Sequence, residues 1–240
     1  MTYPIEKRLM SGLPNYALTS VKYVIAHESG NPNNCGPNAL ENEIAYMNRN
    51  KANAFTSHWV GGGGKIVQIA PVNRVQYGCG PKGNPLSYAQ VELARTNDKD
   101  QFKKDYAAYI WLLRELAKEA CIPVVLDGTG NGIKSHRWIT DNLKGTTHRD
   151  PFSYLESMGI TEEQFKKDIL NGLDKSQQTE KDDNTMKFTS TTAKAAVRDF
   201  IQQAVDKELI NKSWLEKFDN GTMTSGDFEG LKIIIAQRSA

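Results

Sequence analysis

Through residue 173, short β-rich runs alternate with longer amphipathic helical patterns. Val21 to His27, VKYVIAH, is rich in strand-forming Val, Tyr and Ile and ends in a histidine. The runs FTSHWV and KIVQIA flank Gly61 to Gly64, so 55–71 predicts a hairpin with a flexible glycine tip. Ser87 to Ala94, SYAQVELA, predicts a third strand region, and Val124 to Asp127, after Pro123, another. Between these runs the period changes to that of a helix. Leu40, Ile44 and Met47 share one face of a predicted helix over 39–50. Over 101–120, Phe102, Tyr106, Tyr109, Ile110, Leu113 and Leu116 form one apolar stripe, with Lys103, Lys104, Arg114 and Glu115 opposite. Residues 151–173 predict a closing helix or pair of helices, with Thr161 as a cap. Strands alternating with long helices define an α/β domain over 1–173.

Residues 174–186 are polar and read as a linker. Residues 187–240 predict a small all-α unit. Val197, Phe200, Ile201, Ala204 and Val205 make one stripe. Trp214, Leu215 and Phe218 mark a short second helix, and Phe228, Leu231, Ile234 and Ile235 mark a third after a cap at Thr224. So small a unit buries a limited core, so it is expected to dock, self-associate or bind a surface. It contains no histidine or cysteine, and no chemistry is assigned to it.

Composition narrows the classes. With 39% hydrophobic and 24% charged residues, the 240-residue chain has the make-up of an ordinary soluble protein. A net charge of +2 gives no reason to expect nucleic acid and leaves room for a mild attraction to an acidic polymer. Membrane insertion is not expected, because no run approaches the roughly 20 apolar residues of a span. Pro4, Gly12 and Pro14 interrupt the start, which lacks the apolar run of a signal peptide. The chain is therefore expected to be made in the cytoplasm and let out by other means. Cys35, Cys79 and Cys121 are odd in number and lack a CxxC pair, which reads as reduced, structural thiols.

The candidate chemistry gathers in 133–151, IKSHRWITDNLKGTTHRDP, read here as a loop. His136, His148 and Asp150 lie in it, and imidazoles and carboxylates are what a Zn²⁺ site uses. Pro151 disfavours the α conformation at Asp150, so Asp150 is expected to be extended. Residues two apart in an extended segment face the same way, so His148 and Asp150 can address one site. A catalytic zinc takes three protein ligands, and His27, at its strand end, is the candidate from elsewhere. For the last position the residues alone favour His148 over Asp150, since three imidazoles are a common set and His148 is the softer donor. Glu92 stands between Val91 and Leu93. Either it lies on the solvent face of an edge strand, or it is a general base with a raised pKa. His58 is read as structural or as part of a cleft wall.

The segments VIAHESG, FTSHWVGGGGKIVQ, SYAQVEL, IKSHRW and GTTHRDPFSYL together resemble the type-2 N-acetylmuramoyl-L-alanine amidases. These are the zinc peptidoglycan amidases of phage endolysins and bacterial autolysins, and the likeness is strongest to endolysins of phages of Gram-positive bacteria. The resemblance covers about 5–173. It implies a mixed central β-sheet flanked by helices, with zinc in a surface groove held by His27, His136 and Asp150. It also implies Glu92 as the catalytic carboxylate and His148 as the oxyanion-stabilising group. The family variant with a tyrosine beside the position of His58 is absent, since Ser57 stands there. The implied partner is Gram-positive peptidoglycan, met after release from the cell. The helical tail departs from the common wall-binding repeats. Two rival readings are a peptidoglycan-recognition module that does not cut, and a metal-dependent nuclease. The nuclease reading lacks a basic stripe with interleaved aromatics.

Overall fold

The apolar runs of the first stretch assemble into one sheet. The structure is a computed structural model that describes residues 2–173, 186, 188 and 190–239. By internal contacts the chain divides into two units, Met1–Gln178 and Thr179–Ala240. The predicted linker, 174–186, lies outside the described residues except for Met186.

In the first unit the strands are β1 (Ile5–Lys7), β2 (Tyr23–Glu28), β3 (His58–Gly61), β4 (Lys65–Gln68), β5 (Ser87–Leu93) and β6 (Gly132–Ser135). They form a mixed sheet in the order β1-β4-β3-β5-β2-β6. Only the β3–β4 hairpin pairs antiparallel among them. The predicted hairpin and the strand ending in His27 are therefore present. Two expectations are corrected. Residues 124–127 contribute only an isolated bridge, Leu126 to Ile133, because Asp127 turns the chain at φ 53°. The segment 133–151 is not all loop. It begins in β6 and continues as helix α3 (His136–Asn142), capped by the Ser135 hydroxyl, which accepts from the Trp138 N–H.

Helix α1 (Ala39–Asn50) packs Leu40, Ile44 and Met47 against Trp59, Val67 and Ile69 on one face of the sheet. Ile139 of α3 packs on the same face, against Tyr23 and Ile25. The long helix α2 (Lys99–Glu119) covers the other face with its predicted stripe. The Asp98 carboxylate caps it by accepting from the Asp100 and Gln101 N–H groups. Helices α4 (Phe152–Ser157) and α5 (Glu162–Asn171) close the unit. Phe165 of α5 is fully buried against Tyr109 and Phe152, with ring centroids 6.1 and 6.2 Å away.

The second unit comprises α6 (Thr191–Asp206), α7 (Ser213–Asp219) and α8 (Ser225–Arg238). Ile201, Ala204, Leu215, Phe218 and Leu231 form its core, with Met186 and Phe188 packed against it. Thr224 and Asp227 make a reciprocal capping box at the start of α8.

Phe165→Ala is expected to destabilise the first unit by about 3–5 kcal/mol, the usual cost of deleting a buried phenyl ring. Denaturant unfolding followed by tryptophan fluorescence reads this. An unchanged midpoint would show that α5 is not integral to the core.

Candidate metal centre and cleft

The site lies where β2, β5 and β6 end, between α1 and α3. Parallel pairing of β2 with β5 sets His27 directly beside Glu92. Residues in register share a face, so both side chains project from the face opposite α2. Glu92 is on a central strand, not an edge, which removes the solvent-face reading. The β2–β6 pairing aligns Ala26 with Ser135, so His136 emerges one step beyond, at the first turn of α3.

That turn is held from behind. The Ser135 N–H and hydroxyl both donate to the Asp127 carboxylate, at 2.7 and 2.8 Å. The Arg137 N–H donates to the Asp150 carbonyl oxygen at 3.2 Å, tying the loop that carries Asp150 to the start of the helix. The Tyr109 hydroxyl donates to the His27 carbonyl oxygen at 2.8 Å, anchoring the strand end from the α2 side. Asp150 was expected to be extended. It lies in a turn, and its bond to Pro151 is cis.

The donor atoms converge on Asp150. His27 Nδ1 is 3.0 Å from its Oδ2, and His136 Nδ1 is 3.1 Å from its Oδ1. The other ring nitrogens face outward: His27 Nε2 is 3.1 Å from Gln90 Oε1, and His136 Nε2 is 2.9 Å from Thr146 Oγ1. One donor atom from each of His27, His136 and Asp150 lies within 4.8 Å of the others, a set able to hold a metal ion. Two imidazoles and a carboxylate suit zinc, and their count leaves one position of a tetrahedral catalytic site open. The donor set and its spacing therefore fit the ion. His148 stands at the rim. Its ring stacks on His136 with centroids 4.9 Å apart, its Nδ1 is 3.9 Å from Asp150 Oδ1, and its side chain is 71% exposed.

The charges of this cluster are strongly coupled. Burial works against ionisation of Asp150, but the hydrogen bonds from His136 and His27 outweigh it and hold the carboxyl well below the usual carboxylate range. Burial likewise opposes charge on His27. The Asp150 hydrogen bond and the charges of Glu92 and Asp150 nevertheless raise it above its ordinary value. Burial pushes the Glu92 carboxyl up to about 8, against the opposing pull of His27. Glu92 Oε2 is buried without a hydrogen-bond partner among the described residues. Glu92, His27, His136, His148 and Asp150 all line one cleft of about 1380 Å³.

The remaining histidine, His58, pairs in register with Val91, part of the core under α2. It therefore faces away from the cleft, and only the structural half of its expected role is met. Its Nδ1 is 3.0 Å from the Ser57 hydroxyl. Sequence reasoning passed over Gln90, Thr146, Asp127 and Tyr109. For Gln90 the signal was present, since strand alternation places it on the same face as Glu92.

Comparison with known proteins places this arrangement. The sequence profile of the N-acetylmuramoyl-L-alanine amidase family matches residues 17–152. The endolysin of Listeria phage A511 is 48% identical over 171 residues, covering 70% of this chain and 49% of that protein. The lytic amidase of Streptococcus pneumoniae phage HB-3 is 41% identical over 173 residues, covering 70% of this chain and 53% of that one. Among solved structures, the Staphylococcus aureus hydrolase AmiA in complex with its ligand matches with TM-score 0.64 and 26% identity, over 72% of this chain and 84% of that chain. The chain belongs to the N-acetylmuramoyl-L-alanine amidase family. It spans about half the length of these two phage relatives. No helix among the described residues is long and apolar enough to cross a membrane.

Burial pushes the His58 imidazole down from 6.5 to about 3, so it stays neutral in the fold and protonates more readily when unfolded. Its contribution to stability is full above the unfolded pKa and is lost as pH falls toward the folded one. Between pH 6.5 and 5 this amounts to roughly 2 kcal/mol. His58→Gln is expected to lose that much less stability over the window than wild type. Urea midpoints at the two pH values test it, and parallel losses in both proteins would refute it.

Proposed function

We propose that the chain is an endolysin-type hydrolase of Gram-positive peptidoglycan. It cleaves the amide between the lactyl group of N-acetylmuramic acid and the L-alanine of the stem peptide. His27, His136 and Asp150 hold a zinc ion, Glu92 is the general base and His148 stabilises the oxyanion. The observation that carries this reading is the convergence of the three donors beside Glu92 and His148 in one cleft, in a chain of the amidase family. The cleft is larger than the ~300–1,000 Å³ of a small-molecule pocket, which suits a segment of polymer.

When bound, zinc supplies Lewis acidity that polarises the scissile carbonyl and acidifies water. Glu92, whose burial raises its affinity for protons, takes the proton from the attacking water and passes it to the leaving amine of L-alanine. Its unpartnered Oε2 leaves an acceptor free for that water. His148, exposed at the rim, reaches the carbonyl oxygen from the solvent side and donates to it as negative charge develops. The buried pair His27 and His136, braced by Gln90 and Thr146, has its Nδ1 atoms turned toward the metal position and takes no part in proton transfer.

The helical unit, 187–240, is assigned to wall binding or self-association, and the enzyme acts on the wall after release from the cell. A recognition module without activity is the rival. The complete set of donors together with Glu92 favours cutting.

Purified Gram-positive cell walls decide between them. Digestion is expected to release new L-alanine amino groups without new reducing sugar ends, and a chelator should abolish the release. Glu92→Gln is expected to keep zinc and lose about 10²–10⁴-fold in rate. His148→Ala should also keep zinc, with kcat lower by roughly 10²–10³-fold. Asp150→Ala should lose the metal itself. Sedimentation with walls in the absence of any product would instead assign the chain to recognition.

A further inference from the structure

Gln90 is fully buried on β5, two residues before Glu92, and the amidase reaction as proposed assigns it no step. Its side-chain oxygen is 3.1 Å from His27 Nε2. Which end of the amide faces the imidazole is settled by the groups behind it. The Gln90 side-chain nitrogen is 3.4 Å from the Gln76 carbonyl oxygen and 3.4 Å from Asn84 Oδ1. The first is a backbone carbonyl and can only accept. The second is fixed as oxygen because it accepts the Cys79 N–H at 2.8 Å. Two acceptors require a donor between them, so the amide nitrogen points to them and the oxygen points to His27. Turning the amide over would set oxygen against oxygen twice in a buried place.

An amide oxygen cannot donate. Nε2 of His27 must therefore carry the proton, and a neutral imidazole protonated there has its lone pair on Nδ1. Nδ1 is the atom that faces Asp150, beside His136 Nδ1, and a metal held there takes the place of the proton that Nδ1 otherwise gives to Asp150. The neighbouring chain makes room for this contact. A Cβ at Gly78 would lie 2.3 Å from Gln90 Oε1, so any larger residue there would displace the amide.

We infer that Gln90 is a positioning residue that holds His27 in the tautomer and ring orientation presenting Nδ1 to the metal. The inference rests on the proposed metal site and deepens it. Partners of this kind behind a ligating histidine typically change metal affinity by roughly 10- to 100-fold.

The test is zinc affinity, measured by competition with a chromogenic chelator on the full chain, in wild type, Gln90→Met and Gln90→Glu. Methionine keeps approximate size and cannot accept as an amide oxygen does. Glutamate keeps an oxygen toward His27, but its other oxygen must be protonated to sit between the Gln76 and Asn84 oxygens, which costs some stability. The expected result is zinc binding weaker by roughly 10- to 100-fold in Gln90→Met and clearly less weakened in Gln90→Glu. A purely packing role would weaken the two alike. A second readout needs no variant. In the zinc-loaded wild type, ¹⁵N NMR should show His27 protonated at Nε2. A bare Nε2 in the wild type, or equal zinc affinity in Gln90→Met and wild type, would overturn the assignment of Gln90 while leaving the metal site standing. A wild-type chain that binds no zinc would overturn the metal site itself, and this inference with it.

Discussion

The register between β2 and β5 is the constraint on which the site depends. It sets His27 beside Glu92 at the ends of two adjacent parallel strands. A slip of one residue by either strand would turn that strand's polar side chain into the core under α2, because the side-chain period of a strand is two. The apolar residues between them oppose such a slip. Val24, Ala26, Ala89 and Val91 are fully buried on the α2 face, and Tyr23 and Ile25 are buried on the other. Hydrophobic packing on two faces thus fixes the position of two polar groups that packing alone would exclude.

Those polar groups are tolerable only because they are coupled. A buried carboxylate is costly unless paired and hydrogen-bonded. Asp150 has an imidazole on each oxygen, and each imidazole has a further polar partner behind it. Glu92 has no such partner at Oε2 and is pushed toward the neutral form. The two carboxyl groups of the cleft are therefore driven apart in proton affinity, and such a separation marks which carboxyl takes a proton and which stays charged. On the proposed reading this is also the division between base and ligand. The same environment that strips Glu92 of partners supplies them to Asp150.

How much of this was legible in the sequence differs element by element. Strong periodicity carried the long helix α2, the α1 face and the β3–β4 hairpin, since each buries its apolar positions against one partner. The strand ending in His27 was legible for the same reason. The run before Asp127 was not, because its fate turns on a positive φ at that residue, which composition does not announce. The start of α3 was hidden inside a segment whose histidines drew attention to its chemistry, although Ser135 stands at the cap position with its hydroxyl to the Trp138 N–H. Glu92 was left ambiguous between an edge and a centre, because strand order is a tertiary property. The family resemblance pointed to the residues that converge in space, whereas the residues alone favoured His148 over Asp150 as the third donor.

The geometry now separates those two residues on physical grounds. A metal ligand benefits from being held, since every degree of freedom lost before binding is not lost on binding. Asp150 is held: its side chain is 10% exposed, its carbonyl oxygen is bonded to α3 and its oxygens lie between two rings. His148 is 71% exposed, with its Nδ1 3.9 Å from Asp150 and one ring face against His136. An imidazole so placed stays in contact with solvent. It is better suited to meet charge that appears on an incoming substrate than to hold an ion already bound below it. On the proposed reading, burial rather than the softness of the donor atom is what separates ligand from oxyanion partner in this loop.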